Sequence, residues 1–191
     1  AVASGKRTST RRDFEPVLVL GSVPNILAVN TALGVRTLDE LTARLKREPG
    51  ALSFGSSGNG SSMHLAGELY RQRTGTEMVH VPYAGIQQGF TDLFTGRIQV
   101  MFNLVTGAAP QVRGGQVTPI AILSERRSPV LPEVPTTAEM GMPGLVFSTW
   151  FAILAPRGTP APVRAAMNRL VNEILEQPES RARLEGQGLD I

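Results

Sequence analysis

The densest concentration of hydrogen-bonding chemistry in this 191-residue sequence is one run of small residues, Gly55-Ser56-Ser57-Gly58-Asn59-Gly60-Ser61-Ser62. Its hydroxyls and its single amide are neutral donors, and its glycines let a ligand approach the backbone closely. Set between a strand and a helix, such a run places unpaired N–H groups and the positive end of a helix dipole before an anion. Three catalytic or nucleotide patterns fail on it. A phosphate-binding P-loop needs Lys where Ser61 stands, a dinucleotide fingerprint needs Gly where Met63 stands, and a nucleophile elbow on Ser57 needs Gly where Asn59 stands. The run therefore suits holding a small anion without reacting with it. The plainer alternative is a flexible Ser/Gly turn that caps a helix.

Other candidates are few. Pro82-Tyr83-Ala84-Gly85 is a second strand-to-helix loop, and reads either as another wall of the same cleft or as an ordinary turn with Tyr83 packed inside. Asn103 begins a third, where its amide serves either a ligand or a helix cap. His64, just past the Ser/Gly run, faces a cleft or packs. His80, between Val79 and Val81, reads as structural. Neither histidine has a second at ligand spacing, and the chain has no cysteine, so no metal site, cofactor or disulfide is expected. Paired carboxylates are missing from all three loops, which removes glycosidase-like chemistry.

These loops need strands and helices to aim them, and the pattern supplies both. Val17–Gly21, Ile26–Val29, Leu52–Gly55, Glu77–Pro82, Ile98–Phe102, Pro119–Leu123 and Phe147–Leu154 read as strands. Helices are expected from Thr37, which forms a capping box with Glu40, to a stop at Pro49-Gly50, then after the Ser/Gly run to about Arg73, and over 87–95, 106–113, 159–177 and 178–187. Strands alternating with helices predict an α/β fold with a mainly parallel sheet, in which ligands sit beyond the C-terminal strand ends. Trp150 is expected in the core. Net charge is +3, but Lys6, Arg7, Arg11 and Arg12 lie in a tail without acids, and the remainder is slightly acidic. No nucleic-acid-binding stripe is expected on such a body. No signal peptide is visible and no apolar run is long enough to span a membrane.

Several separate segments carry a resemblance. Phe54-Gly-Ser-Ser-Gly-Asn-Gly-Ser-Ser-Met-His-Leu-Ala-Gly-Glu-Leu-Tyr, Val79-His-Val-Pro-Tyr-Ala-Gly, Thr91-Asp-Leu-Phe-Thr-Gly-Arg-Ile-Gln, Leu131-Pro-Glu-Val-Pro-Thr and Trp150-Phe-Ala-Ile-Leu-Ala-Pro-Arg-Gly-Thr-Pro resemble the Bug-type solute receptors of tripartite tricarboxylate transporters. The resemblance runs in consistent order over 13–191. It implies a periplasmic binding protein-like (type II) two-lobed α/β fold that closes on a small carboxylate. By the same resemblance the ligand contacts are Ser57, Gly58, Asn59, Gly60, Ser61, Ser62 and His64, then Tyr83, Ala84 and Gly85, then Asn103. Two positions depart: Ala84 stands where family members commonly carry Lys, and Asn103 where they often carry Asp.

The resemblance also implies one complete lobe plus part of the other. Residues 31–123 are expected as ligand-binding lobe 2, 147–191 as the C-terminal part of lobe 1, 13–30 and 124–146 as hinge or linker, and 1–12 as a tail outside the family. On this view the chain is truncated at its N-terminus and binds its ligand weakly or not at all. Oligomer contacts or disorder are expected at the incomplete lobe. The implied function is a non-enzymatic periplasmic receptor for a di- or tricarboxylate, an acidic amino acid or an aromatic acid, working with membrane subunits of the transporter. The alternative is a Ser/His hydrolase using Ser57 or Ser61 with His64 or His80.

Overall fold

A computed structural model describes residues 11–191, with Arg11 described at its backbone only. Most of the basic tail, residues 1–10, lies outside the described residues. The elements follow the order β1 (Phe14–Asn30), α1 (Leu38–Arg47), β2 (Ser53–Ser56), α2 (Ser62–Thr74), β3 (Val79–Pro82), α3 (Ile86–Phe94), β4 (Val100–Leu104), α4 (Val105–Arg113), β5 (Val117–Ile122), β6 (Ser148–Pro156), α5 (Ala161–Glu176) and α6 (Pro178–Gly186). The chain divides into two compact units, Pro24–Thr149 and a second built from the residues up to Val23 together with Trp150–Ile191.

The first unit holds the sheet β3-β2-β4-β1-β5. β2 runs parallel to β3, with Phe54 opposite His80, and parallel to β4, with Phe54 opposite Val100. The expectation of a mainly parallel sheet meets one exception. β1 is antiparallel to both of its neighbours, with Ile26 opposite Asn103 on β4 and opposite Ile122 on β5. The two strands read at 17–21 and 26–29 are a single one. Pro24 suggests a break, because proline cannot donate to a ladder. It sits just ahead of Asn25, where the pairing with β4 starts, so the ladder to β4 loses no bond.

Alternation along the strands separates two faces. Leu27, Val29, Phe54, Val100 and Phe102 meet Leu38, Leu41 and Leu45 of α1 and Ala66 and Tyr70 of α2 in one buried cluster. Tyr70 is fully buried with its hydroxyl 2.8 Å from Thr42 Oγ1, and burial pushes its pKa up to about 12. On the opposite face Gly55, Tyr83, Gly89 and Met101 pack together. Thr37 caps α1 as expected, accepting from Glu40 N–H at 3.1 Å. The returning bond goes to Arg36 N–H (2.7 Å), one residue before the cap.

Residues 124–146, expected as hinge or linker, fold onto this same unit. Ile122 N–H donates to Pro135 C=O and Thr137 N–H to Ile122 C=O, both at 2.9 Å. Val130, Leu131, Val134 and Leu145 are buried. Thr136 and Glu139 form a reciprocal capping box, Oγ1 accepting from Glu139 N–H (3.1 Å) and Oε2 from Thr136 N–H (2.7 Å). Glu139 also takes both contacts from Arg127 Nε at 3.0 Å.

In the second unit β6 pairs with β1, and α5 and α6 pack on each other. Asn168 of α5 donates to Val17 C=O (2.7 Å), Arg164 pairs with Glu15 (2.8 Å), and Ser22 exchanges two backbone bonds with Asp190. This unit buries little. Val163, Met167, Leu170 and Ile174 recur along one stripe of α5 and all are exposed. Trp150, expected in the core, is 65% exposed.

Candidate functional site

β3, β2 and β4 are neighbours and parallel, so the three loops singled out in the sequence leave the same edge of one sheet. The structure thereby gathers Ser57–Ser62, Tyr83–Gly85 and Asn103, which lie up to 46 residues apart in their chain positions, at one end of the first unit.

The Ser/Gly loop is internally braced. Ser61 is the N-cap of α2, its Oγ accepting from His64 N–H at 3.2 Å. Gly58 N–H donates to Ser56 Oγ (3.1 Å), Ser61 N–H to Gly58 C=O (3.2 Å), and Gly60 N–H to His64 Nδ1 (3.1 Å). Gly58 and Gly60 adopt φ of 112° and 76°, a region that side chains disfavour, which is why glycine stands at both. What remains is an alternation: among the described residues the backbone N–H groups of Ser57, Asn59, Ser62 and Met63 have no partner. Ser57 and Asn59 are exposed. The loop thus offers donors held by its own framework, rather than a slack turn.

The second loop presents less side chain than its sequence suggests. Tyr83 is buried, and its hydroxyl donates to Asp92 at 2.9 Å. Burial, then that carboxylate, pushes its pKa up to about 12. Ala84 and Gly85 are exposed, and Gly85 is the N-cap of α3 without any side-chain capping bond. α4 likewise starts without a side-chain cap. Before it, Asn103 is 3% exposed. Its Oδ1 accepts from Leu104 N–H at 2.8 Å, which fixes the amide's orientation, because a flipped amide would set donor against donor. Its Nδ2 is buried with no partner and lies over Gly107 in the first turn of α4. An unmade bond of this kind costs about 1–3 kcal/mol. The expected choice between ligand and cap resolves into a split role: the oxygen serves the backbone and the donor is left unspent.

The two histidines meet. His64 and His80 stack with ring centroids 3.9 Å apart and planes 19° off parallel, and Phe54 lies 4.9 Å from His80. His80 Nε2 is 2.7 Å from Ser56 Oγ. Burial, then the neighbouring His64, holds its pKa below the ordinary 6.5. Ser56, whose Oγ meets His80 Nε2, is not among the ligand contacts expected from the sequence. The hydrolase alternative loses its geometry here. The serine that touches a histidine is Ser56, which is fully buried, and Ser61 Oγ accepts from the backbone of His64, not its ring. Among the described residues no carboxylate hydrogen-bonds His80, and no group of three or more His, Cys, Asp or Glu could hold a metal. No described helix is long and apolar enough to cross a membrane.

The sheet, with β1 antiparallel between β4 and β5, belongs to a fold shared with solved periplasmic solute-binding proteins. The structure superposes on one from Rhodopseudomonas palustris solved with adipate, at TM-score 0.85 and 34% identity, covering 93% of this chain and 60% of that one. MatC from R. palustris with bound malate gives 0.81 and 29%, covering 96% and 63%. The sequence matches the family model "Tripartite tricarboxylate transporter family receptor" over residues 7–191, and the chain belongs to that family. The match begins inside the segment read as a tail. BugT of Bordetella pertussis is 38% identical over 164 residues, 86% of this chain and 50% of that protein. A UPF0065 protein of a Pseudomonas species is 37% identical over 169 residues, 88% and 50%. The chain thus spans about half the length of these curated relatives.

Proposed function

We propose that this chain carries the donor-lined lobe of a periplasmic receptor that captures a small carboxylate for a tripartite transporter's membrane subunits. The observation that carries the reading is the unspent Nδ2 of Asn103, buried at the end of β4 beside the uncapped start of α4. A ligand oxygen arriving there completes a bond the protein leaves open. The free N–H groups of 57, 59, 62 and 63 and the start of α3 supply further neutral donors, which suits an anion held by dipoles without a countercharge. Ser57–Ser62, His64, Tyr83–Gly85 and Asn103 remain the proposed site, with Tyr83 contributing through its backbone and its packing. The relatives solved with malate and adipate make dicarboxylates the first ligands to test.

The test is a nitrogen–proton NMR titration of the 191-residue chain with malate and with adipate. The reading expects the amides of 57–62 and the side-chain NH2 of Asn103 to move together, saturating weakly, because this chain covers about half of its relatives' length. Movement confined elsewhere, or none with either acid at tens of millimolar, overturns it.

A further inference from the structure

Ser56 Oγ is the node between the sheet and the Ser/Gly loop. It accepts from Gly58 N–H (3.1 Å) and donates its one proton to Gly58 C=O (3.2 Å), so it accepts from His80 Nε2 (2.7 Å). Two residues on, Gly60 N–H donates to His64 Nδ1. The loop is therefore held at two points, and a histidine stands behind each. The accepting nitrogen of His64 must be unprotonated, so its ring proton sits on Nε2, which faces Glu68 Oε1 at 3.8 Å. The rings are stacked at 3.9 Å, so two protonated rings would repel across that gap. The charged groups facing the pair come from α2: Glu68, which favours the protonated forms, and Arg71, which opposes them and is itself tied to Glu68 at 2.7 Å. β2 contributes only Phe54 and the neutral Ser56. Glu77, ahead of β3, lines the hollow that Glu68 and Arg71 share.

We propose that His64 and His80 are positioning residues which, both neutral, hold the Ser/Gly loop in its anion-receiving form, and that protonating the pair releases the loop. Protonation of His64 turns Nδ1 into a donor facing the Gly60 donor, and that brace is lost. Protonation of His80 adds a proton at Nδ1, leaves the Nε2–Ser56 bond in place and sets a positive ring against His64. The depressed pKa of His80 agrees with a pair kept neutral at neutral pH. The ligand part of this inference rests on the loop being the carboxylate site, and the loop-ordering part does not.

The experiment separates them. Histidine ring carbons and the amides of Gly58 and Gly60 are followed by NMR from about pH 8 to about pH 5 without ligand, a range that brackets histidine titration. The two glycine amides should move with the ring midpoints in the wild type, and stay flat in His64→Gln/His80→Gln, whose dispersed spectrum elsewhere reports a retained fold. Glycine amides that ignore the rings, or that still titrate in the double variant, overturn the proposal whatever the ligand result. Malate is then titrated at about pH 8 and about pH 6, and affinity should fall roughly two- to fourfold in the wild type and stay level in the variant, the size expected of one linked histidine. Malate that leaves the loop unmoved at both pH values, while the glycines titrate normally, refutes the carboxylate site and spares the loop clamp. Affinity that rises on acidification refutes the release.

Discussion

A single amide shows how much of the site's selectivity rests on one orientation. Asn103 spends its oxygen on Leu104 N–H, so its one unspent polar group is a buried donor. A ligand acceptor fits there and an ammonium does not. Asn103→Leu keeps roughly the volume and removes that donor. Malate should then lose roughly tenfold in affinity, the usual order for one hydrogen bond to a charged group. Calorimetry or the NMR titration reads it. Asn25 is the contrasting case. It is fully buried, and neither of its side-chain polar atoms has a partner. Asn25→Leu, close in volume, should raise unfolding free energy in urea by about 1 kcal/mol, because the desolvation of the amide no longer has to be met. A loss of stability would reveal a bond to buried water. The sequence marks 57–62 and 103 as candidate ligand contacts by residue type. Their division of labour was not legible there, because it depends on which atom each neighbour takes. Tyr83 illustrates the same limit: nothing in Pro-Tyr-Ala-Gly says that Asp92, nine positions on, will claim its hydroxyl.

Helices and strands were read more securely than the sheet that joins them. Helical spacing and caps are local, so α1, α2 and α5 fall near their expected places. The continuity of β1 and its antiparallel direction depend on partners 71 to 96 residues away, which no local pattern encodes. The packing of 124–146 was hidden for a related reason, since its prolines look like a linker while its anchor is the Thr136/Glu139 box. The Arg127 hydrogen bond, then the one from Thr136 N–H, hold the Glu139 carboxyl below its ordinary 4.5. A depressed carboxyl contributes stability that is present above about pH 4.5 and disappears as pH falls through the depressed value. Glu139→Gln should therefore flatten that part of the acid-unfolding curve, followed by circular dichroism, while an unchanged curve would deny the anchor its role. α2 makes a packing prediction. Gly67 lets the ring of Phe54 rest on the helix, and a Cβ there collides with three ring atoms. Gly67→Ala gains about 1 kcal/mol of helix propensity. Overpacking costs about 1–3 kcal/mol. Phe54 is hemmed in by Phe102 and His80, so the overpacking wins and the variant should melt lower.

At the scale of the molecule the two units differ in what they bury. The Pro24–Thr149 unit has a closed core, whereas α5 and β6 display Leu170, Ile174, Trp150 and Leu154 at about half exposure or more. Apolar patches of this kind mark surfaces meant to be covered. The division of the chain also sets an order of events during synthesis. One unit is a single continuous stretch, while the other is assembled from both ends of the chain, with β1 entering from the early end and β6, α5 and α6 from the late one. A ribosome delivers residues 24–149 complete before β6 has emerged, so that unit can acquire its core while 14–23 still waits for its pairing strand. Pulse-labelled hydrogen exchange during refolding should accordingly protect β2 and β4 ahead of α5. The stretch that carries the Ser/Gly loop would then mature ahead of α5 and α6.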